Sequence, residues 1–365
     1  MKSSFGDRLR VTLLGESHGD EVAASVEGFP RGVRLNAAAL SELMARRRGG
    51  GRLTTPRTEA DEPVFCAGLC DGITTGETIV VKIKNENVRS GDYAGFRDTP
   101  RPSHADYTAQ MRFGADVDLR GGGHFSARLT APLCAVGALA IEALAARGIN
   151  IGAHLEAVGS LRDRRFSAVG LSRDELRLPL SHALPVLDGA LCDPFVREIE
   201  AARASLDSVG GIVECGAIGL PAGVGSPLGR GLENALSAAI FVLGGVRGIE
   251  FGDGFAAAAM RGSEHNDPFC IRDGRVQTET NHAGGILGGI STGMPILFRV
   301  AMKPTASIAR PQRTVSLSEM KNTTVEIKGR HDPCIALRAV PCVEAVTALV
   351  LLEAVLEAEE KGSTR

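Results

Sequence analysis

The chain has 365 residues, of which 44% are hydrophobic, and a formal net charge of −2 at neutral pH. This length suffices for one large domain or two ordinary ones, and the near-neutral charge excludes a general attraction to nucleic acid or acidic membranes. Tryptophan is absent and tyrosine occurs twice, which disfavours an aromatic platform for stacking bases. Any anion site must therefore be a local concentration of arginine.

Glycine and cysteine usage points to a turn-rich protein with reduced thiols. Glycine accounts for 45 residues, about 12% against a usual ~7%, which indicates tight turns and close backbone approaches. The eight cysteines are scattered, and the close pair Cys66 and Cys70 lacks the second pair typical of a zinc site. We expect buried thiols, no metal and a cytoplasmic location. The longest apolar stretches, around 131–141 and 345–352, are shorter than the ~18–20 residues of a membrane span, so no membrane association is expected.

Apolar periodicity predicts a mixture of strands and helices. Asn36 can cap the first helix, whose last turn holds the arginines at 46–48, where cations suit the helix dipole. The final helix is apolar nearly all round, so we expect it at the centre of the protein, with disorder after Lys361. In chain order, the predicted elements are a strand at 9–14, a helix at 37–48, a strand at 79–84, a buried alanine-rich helix at 131–147, a helix at 194–207, a strand at 211–219, a helix at 232–243, a strand at 325–328 and a last helix from Pro341 to about Leu356.

The order of these elements favours a single domain over residues 1–365. No linker stands out, and strands mix with helices without a regular strand–helix–strand rhythm. No Gly-x-Gly-x-x-Gly motif opens a helix, which argues against a dinucleotide-binding fold. The residues alone therefore predict an α+β domain with an antiparallel sheet.

Two histidines in polar, glycine-bounded segments are the first candidates for chemistry. His18 lies in Gly15–Gly19 and His104 lies in Arg101–Tyr107. Histidine can give or take a proton near neutral pH, and proton donors among fixed cations predict a site for a small, multiply charged anion. The arginines near them in sequence are Arg46, Arg47, Arg48, Arg52, Arg101, Arg120 and Arg128.

Three further segments have the composition of ligand loops: 281–291, 303–308 and 329–334. Segments 281–291 and 329–334 contain glycine, which lets the backbone approach a ligand, and segment 303–308 supplies a lysine with Thr and Ser hydroxyls. Free backbone amides with lysine and hydroxyl groups are typical of phosphate cradles. Each segment also has an ordinary structural explanation: a turn histidine, a solvated helix end or a glycine turn. Those explanations would have to hold for all the segments together, which favours a functional site.

These segments resemble the chorismate synthase family from Ser4 to about Glu353. The matching strings are long and ordered, which makes a chance match very improbable. They are Phe5-Gly6 with Gly15–Gly19, Arg101–Tyr107, Asn281–Ser291, Lys303-Pro304-Thr305, and Gly329–Cys334 with Arg338–Pro341.

The resemblance implies a lyase with a helical layer held between antiparallel sheets. The family converts 5-enolpyruvylshikimate 3-phosphate to chorismate and phosphate by a 1,4-anti elimination, in aromatic amino acid biosynthesis. It requires reduced FMN although the reaction has no net redox change, and its members are usually homotetramers. The substrate carries two carboxylates and a phosphate, which suits the arginines described above.

The resemblance also assigns roles to individual residues. His18 would protonate the leaving phosphate, His104 would protonate the reduced flavin near its pyrimidine end, and Asp332 would assist proton removal at the N5 side. The implied substrate-binding residues are Arg47, Arg52, Arg101, Arg128 and Arg338. The implied flavin-binding residues are His124, Phe125, Ser126, Gly244, Gly245, Gly288, Lys303, Pro304, Thr305, Ala306, Ser307 and Arg330.

The chain departs from the family at one stretch expected to touch flavin. His124, Phe125 and Leu129 replace an arginine, a serine and a glutamate, and positions 244–245 are Gly-Gly where Asn-Ala is common. These changes favour a second hypothesis, a degenerate homologue that binds flavin or an anionic metabolite without turnover. Retention of both histidines and Asp332 favours the active lyase.

A third hypothesis is a flavin-dependent oxidoreductase, since some members of the family reduce their own flavin with NADPH. The chain shows no recognisable nicotinamide motif. The residues leave open whether the reductant is NADPH or a separate flavin reductase.

Overall fold

The protein is described by a computed structural model that covers residues 1–55, 59–87, 95–114, 116–327 and 331–362. The α-helices within these ranges are α1 (Ala37–Arg47), α2 (Asp106–Phe113), α3 (Thr130–Ala145), α4 (Arg173–Arg177), α5 (Cys192–Ala204), α6 (Leu232–Ile240), α7 (Gly262–His265) and α8 (Ala336–Glu360). The β-strands are β1 (Lys2–Phe5), β2 (Arg10–Gly15), β3 (Glu21–Glu27), β4 (Val64–Ala67), β5 (Leu69–Cys70), β6 (Ile73–Thr74), β7 (Ile79–Lys84), β8 (Asn150–Val158), β9 (Leu161–Arg162), β10 (Gly211–Ile218), β11 (Val246–Phe251), β12 (Phe269–Arg272), β13 (Arg275–Thr278), β14 (Ile286–Leu287), β15 (Ile290–Ser291), β16 (Ile296–Met302), β17 (Gln312–Ser316) and β18 (Lys321–Val325).

Two five-stranded sheets lie on either side of the helices α3 and α8. The first sheet has the strand order β1-β2-β3-β7-β4 and the second has the order β11-β16-β10-β8-β9. Every strand pair within the described ranges is antiparallel. The predicted α+β class with antiparallel sheets is confirmed, whereas the extent of the single domain stays a prediction.

The helical layer is built around α3 and α8. Helix α3 packs on β3 and β7 of the first sheet, α8 packs on β8 and β10 of the second, and the two helices pack on each other. A side-chain carbon at Gly137 would lie only 2.7 Å from the Cα of Ala345. The two helices therefore approach each other closely because Gly137 has no side chain.

Most predicted elements appear within a few residues of their expected bounds. Strand β7 has the predicted bounds, and Asn36 caps α1 by accepting a hydrogen bond from the backbone of Ala39. The predicted strand at 325–328 is wrong within the described residues, because pairing with β17 places the strand at Lys321–Val325. Residues 363–365, part of the tail predicted to be disordered, lie outside the described residues.

The last helix is central, as predicted, but it begins five residues before Pro341. Proline inside a helix removes one backbone hydrogen bond and costs ~3 kcal/mol or more. Pro341 is itself buried, and α8 is buried on nearly all sides between the two sheets. Burial of its apolar surface offsets the lost bond.

Among the residues that the structure describes, two helices are long and apolar enough to cross a membrane by length and composition, Ala127–Ala145 and Ala336–Glu360. The expectation that the longest apolar stretches are shorter than a membrane span is therefore wrong. Within the protein, 78% and 89% of their most apolar windows are buried. These helices form the interior of this fold.

Helix α8 also holds the beginning of the chain. The carboxylate of Glu353 accepts hydrogen bonds from the backbone amides of Asp7, Arg8 and Leu9, at 2.7, 2.6 and 3.0 Å. The guanidinium of Arg8 also pairs with Glu360 at 2.6 Å. The turn between β1 and β2 is thus fixed by residues nearly 350 positions away.

Substituting Gly137 by alanine should destabilise the fold. The new methyl group would overlap Ala345, and two rigid helices would have to separate at a cost of ~1–3 kcal/mol. Urea unfolding monitored by circular dichroism measures this loss. Gly262→Ala in α7 is the control, since a side chain there meets no atom within 4 Å. Equal stability of the two variants would contradict the proposed constraint.

Candidate active site

A cavity of about 230 Å3 lies beside the helical layer and collects most of the residues named from the sequence. Its walls come from the turn after β2, the end of α1, the segment before α3 and the loops after β16 and before α8. The named residues that line it are His18, Arg47, Arg101, His104, Phe125, Ser126, Arg128, Thr305, Ala306, Ser307, Asp332 and Arg338. Their proximity is shown by the structure, and their individual roles stay predictions.

A glycine triplet separates the two histidines. Gly121 and Gly122 both have positive φ, at 59° and 90°. A side-chain carbon on Gly121 would lie 2.6 Å from Nε2 of His18, and one on Gly122 would lie 3.4 Å from Nε2 of His104. The backbone can pass between the two rings only because these residues lack side chains.

His104 is oriented by a buried ion pair. Its Nδ1 lies 2.8 Å from the carboxylate of Asp106, which also receives three hydrogen bonds from Arg101, at 2.7 to 3.0 Å. Burial alone would raise the pKa of Asp106, but hydrogen bonds from Arg101 and His104 outweigh burial and hold that pKa well below its ordinary value. The carboxylate fixes the Nδ1–H tautomer and leaves Nε2 directed toward the cavity.

Asp61 joins two cavity arginines. Its carboxylate pairs with Arg47 at 2.5 Å and with Arg128 through the other oxygen. Burial would raise the pKa of Asp61, but the two guanidinium groups outweigh burial and lower it. Arg128 also donates to the side chain of Asn85 at 2.6 Å. Both arginines line the cavity, and these contacts hold their charged groups in place.

Asp332 and Arg338 form another part of the cavity wall, next to Arg47. They pair at 2.7 Å, and the second carboxylate oxygen of Asp332 accepts the backbone amide of Thr55 at 2.8 Å. The backbone carbonyl of Asp332 accepts the hydroxyl of Thr305 at 2.6 Å. This carboxylate is therefore fixed in direction before any ligand binds.

The segments expected to hold flavin lie next to this wall. Phe125 exposes 38% of its surface, and Ser126 caps the turn that carries Arg128. Lys303 donates to the hydroxyl of Ser103 at 2.9 Å and also to its carbonyl. Ser103 has a φ of 59°, a region that non-glycine residues rarely adopt.

The resemblance also assigns three glycines and a proline to flavin binding, and these lie at different distances from the cavity. Gly244 lies against the backbone of Phe125 and lines a small adjoining cavity, and the carbonyl of Gly245 accepts the amide of Lys303 at 2.9 Å. Pro304 packs on Gly210, and Gly288 is the turn of the β14–β15 hairpin, away from the cavity lining.

The structure does not bring Arg52 or His124 into the cavity lining. Arg52 is 73% exposed and pairs with Glu200 at 2.5 Å. The ring of His124 bonds the hydroxyl of Ser3 at 2.9 Å and the carbonyl of Gly15 at 2.8 Å, which ties it to the first sheet. Arg330 lies outside the described residues.

Several lining residues were not predicted from the sequence: Arg48, Thr55, Glu59, Asp61, Asn87 and His331. Arg48 and His331 stand inside segments that were singled out, so their neighbours in sequence were a usable signal. Asp61 lies in an irregular stretch before β4, where no periodicity or motif marks a buried carboxylate.

The cavity is positively charged. Five arginines line it against three carboxylates, Glu59, Asp61 and Asp332, which leaves a formal excess of 5 − 3 = +2 before the histidines are counted. Among the described residues, no group of three or more histidine, cysteine, aspartate or glutamate side chains is placed to hold a metal ion. Fold and cavity define an α+β protein with an arginine-rich cavity that holds two histidines.

Comparison with known proteins agrees with this class. The family model for chorismate synthase matches residues 9–356. Chorismate synthases of Lancefieldella parvula and Pyrococcus abyssi are 42% and 44% identical to the chain; the alignments cover 97% and 96% of this chain and 96% and 97% of theirs. A crystal structure of chorismate synthase superposes with a TM-score of 0.75 at 25% identity, covering 96% of this chain and 92% of that one.

The chain belongs to the chorismate synthase family. It is accordingly a carbon–oxygen lyase of aromatic amino acid biosynthesis. The resemblance drawn from the motifs is confirmed, and so is the fold class with its helical layer between antiparallel sheets.

The depressed pKa of Asp106 predicts a specific acid sensitivity. A carboxylate whose pKa is lower in the folded state than its ordinary ~3.9 stabilises the fold above that value, and the contribution is lost as pH falls through the folded pKa. Asp106→Asn should therefore be less stable at pH 7, and its free energy of unfolding should fall less steeply between about pH 4 and 2.

Urea unfolding at a series of pH values measures this dependence. Asp273→Asn is the control, since Asp273 lies in the exposed turn between β12 and β13. Parallel pH profiles for wild type and Asp106→Asn would show that Asp106 does not carry this linkage.

Proposed function

We propose that the protein converts 5-enolpyruvylshikimate 3-phosphate to chorismate and phosphate by a 1,4-anti elimination, with reduced FMN bound beside the substrate. The observation that carries this proposal is the arginine-lined cavity in which His18 and His104 lie on two sides of Gly121 and Gly122. An elimination needs a proton at the departing phosphate and a base at the carbon that loses hydrogen. The cavity provides both kinds of group.

The charge of the cavity fits this substrate. Two carboxylates and a phosphate require several cationic partners, and bidentate guanidinium groups are the side chains best suited to them. Arg101 and Arg128 are held by buried carboxylates, and Arg338 is held by Asp332. Because these pairs fix the arginines before binding, little side-chain entropy is lost when the substrate enters.

The proton-handling groups are oriented by their neighbours. His18, buried in the turn after β2, would donate its proton to the leaving phosphate. Asp106 holds the proton of His104 at Nδ1, so Nε2 is the atom that exchanges protons with the cavity. Asp332 keeps its charge directed by Arg338 and Thr55 and would assist removal of the substrate proton.

The residues present fit a flavin next to the substrate. The half-exposed ring of Phe125 offers an aromatic surface, while Ser126, Thr305 and Ser307 offer hydroxyl groups on the same cavity. Lys303 lies beside Ser103 at the next turn and supplies a cation. Reduced FMN, when bound, supplies electron density that helps an allylic phosphate to leave.

The further proposals concern the assembly, the reductant and the location. We propose a homotetramer in the cytoplasm, with flavin reduced by NADPH or by a separate reductase. Exposed apolar side chains on one hairpin support self-association: Phe269, Ile271 and Val276 are 68%, 73% and 63% exposed.

Chorismate formation under anaerobic conditions, with chemically reduced FMN, tests the proposed reaction. We expect chorismate and phosphate in equal amounts, with no net consumption of reduced flavin. Binding of substrate and flavin without product would instead support the degenerate homologue. Of the altered residues, Phe125 lines the cavity, whereas His124 lies against the first sheet and outside the lining.

Each cavity histidine should be required for turnover. His18→Ala and His104→Ala should each lower kcat by ~10²–10⁴-fold, the usual contribution of a positioned acid or base. His265→Ala is the control, since His265 lies on the exposed helix α7. Wild-type kcat in either cavity variant, with FMN and substrate saturating, would remove that histidine from the mechanism.

The arginines should separate into two groups. Arg338→Ala should weaken substrate binding by roughly 1.5–3 kcal/mol, the value of a charge-assisted contact. Arg52→Ala should bind substrate like wild type, because Arg52 faces solvent and pairs with Glu200. Isothermal titration of the substrate into each variant measures the difference. An equal loss of substrate affinity in both variants would contradict the placement of Arg338 inside the site and Arg52 outside it.

A further inference from the structure

Two thiols lie beside the active-site cavity and take no part in the proposed mechanism. Cys134 on α3 and Cys342 on α8 are both buried, and their sulfur atoms are 3.8 Å apart. Gly137 and Ala345 come three residues after them on the same helices, where the two backbones are in close contact. The thiols therefore face each other beside a close contact between the two central helices.

Cys342 lines a small cavity next to the active site. This cavity of about 60 Å3 has walls that include Arg47, Asp332 and Arg338. The same three residues line the larger active-site cavity. The space beside Cys342 therefore shares part of its wall with the active site.

We propose that Cys134 and Cys342 are a redox-active pair, which hydrogen peroxide converts to an intramolecular disulfide. The Cys342 thiolate attacks one peroxide oxygen, the O–O bond breaks, and the departing oxygen takes up a proton and leaves as water. The sulfur of Cys134 then displaces the hydroxyl of the resulting sulfenic acid, and a second water leaves. Two thiols lose two electrons and two protons, and the peroxide is reduced to two waters.

The surroundings favour Cys342 as the attacking sulfur. The hydrogen bond from the Cys134 thiol lowers the pKa of Cys342 against the opposing effect of burial, and the charges of Arg47 and Arg338 lower it further. The pKa of Cys134 is raised by the same hydrogen bond and by burial. The thiolate is the reactive form of cysteine, and nearby fixed cations stabilise it. Cys134 is close enough to react with the oxidised sulfur of Cys342 and complete the disulfide.

Oxidation would disturb the substrate-binding arginines, a consequence that rests on the proposed function. The carbonyl of Arg338 accepts a hydrogen bond from the Cys342 thiol at 3.3 Å. Thr130, one turn before Cys134, accepts one from Arg47 at 2.9 Å. A disulfide requires the sulfurs to close from 3.8 Å to ~2.05 Å, which shifts the two helix turns that carry these contacts.

Peptide mapping of the folded protein after peroxide treatment tests the proposal without an activity assay. Trypsin releases Cys134 in residues 129–147 and Cys342 in residues 339–361, each as the single cysteine of its peptide. We expect these two peptides to be linked, with a loss of two hydrogens, and separated again by dithiothreitol. A background of Cys66→Ser and Cys70→Ser removes the exposed thiols.

Turnover gives the second readout. Peroxide should lower chorismate formation at least about fivefold, reversibly with dithiothreitol, and Cys134→Ala should abolish this reversible loss. If the peptides are linked but turnover does not change, the disulfide forms without disturbing the arginines. That result would overturn the coupling and leave the redox pair standing. In the folded wild-type protein, complete oxidation of the exposed Cys66 and Cys70 shows that the peroxide has acted. Absence of linked peptides under those conditions, or linkage only in denaturant, would overturn the redox pair itself.

Discussion

The site depends on the two ion pairs that the carboxylate of Asp61 makes. This carboxylate neutralises part of the charge of Arg47 and Arg128, which are both almost completely buried. Taking two guanidinium groups out of water is costly unless a counter-charge meets them. Asp61 thereby joins the end of α1 to the turn that opens α3.

The influence of Asp61 extends to the turn that carries His18. Arg128 orients the amide of Asn85, whose nitrogen donates to the carbonyls of Glu16 and Gly19 at 3.1 and 2.7 Å. These carbonyls flank His18. One buried carboxylate therefore positions two arginines directly and a histidine through a side-chain amide, and the cavity keeps the excess positive charge that a polyanion needs.

Much of this architecture could be predicted from the sequence. Strand β7 and helix α1 follow from periodicity and the Asn36 cap, because those signals are local. The grouping of His18, His104 and Asp332 followed from motifs. Asp61 could not be predicted, since its importance comes from two arginines that are 14 and 67 residues away. Arg52 lies near Arg47 in sequence, but in the structure it pairs with Glu200 and faces solvent, and its role in substrate binding stays a prediction.

The contact between Glu353 and the first turn of the chain has a consequence for synthesis. The strands β1 and β2 leave the ribosome well before helix α8, which carries the carboxylate that holds the amides between them. Helix α8 also follows every element that it packs against. Domains usually fold as units during synthesis, but here the interior between the two sheets is incomplete until α8 arrives. The nascent chain must therefore carry two half-covered apolar sheets until then, and chaperone demand should be concentrated late in translation.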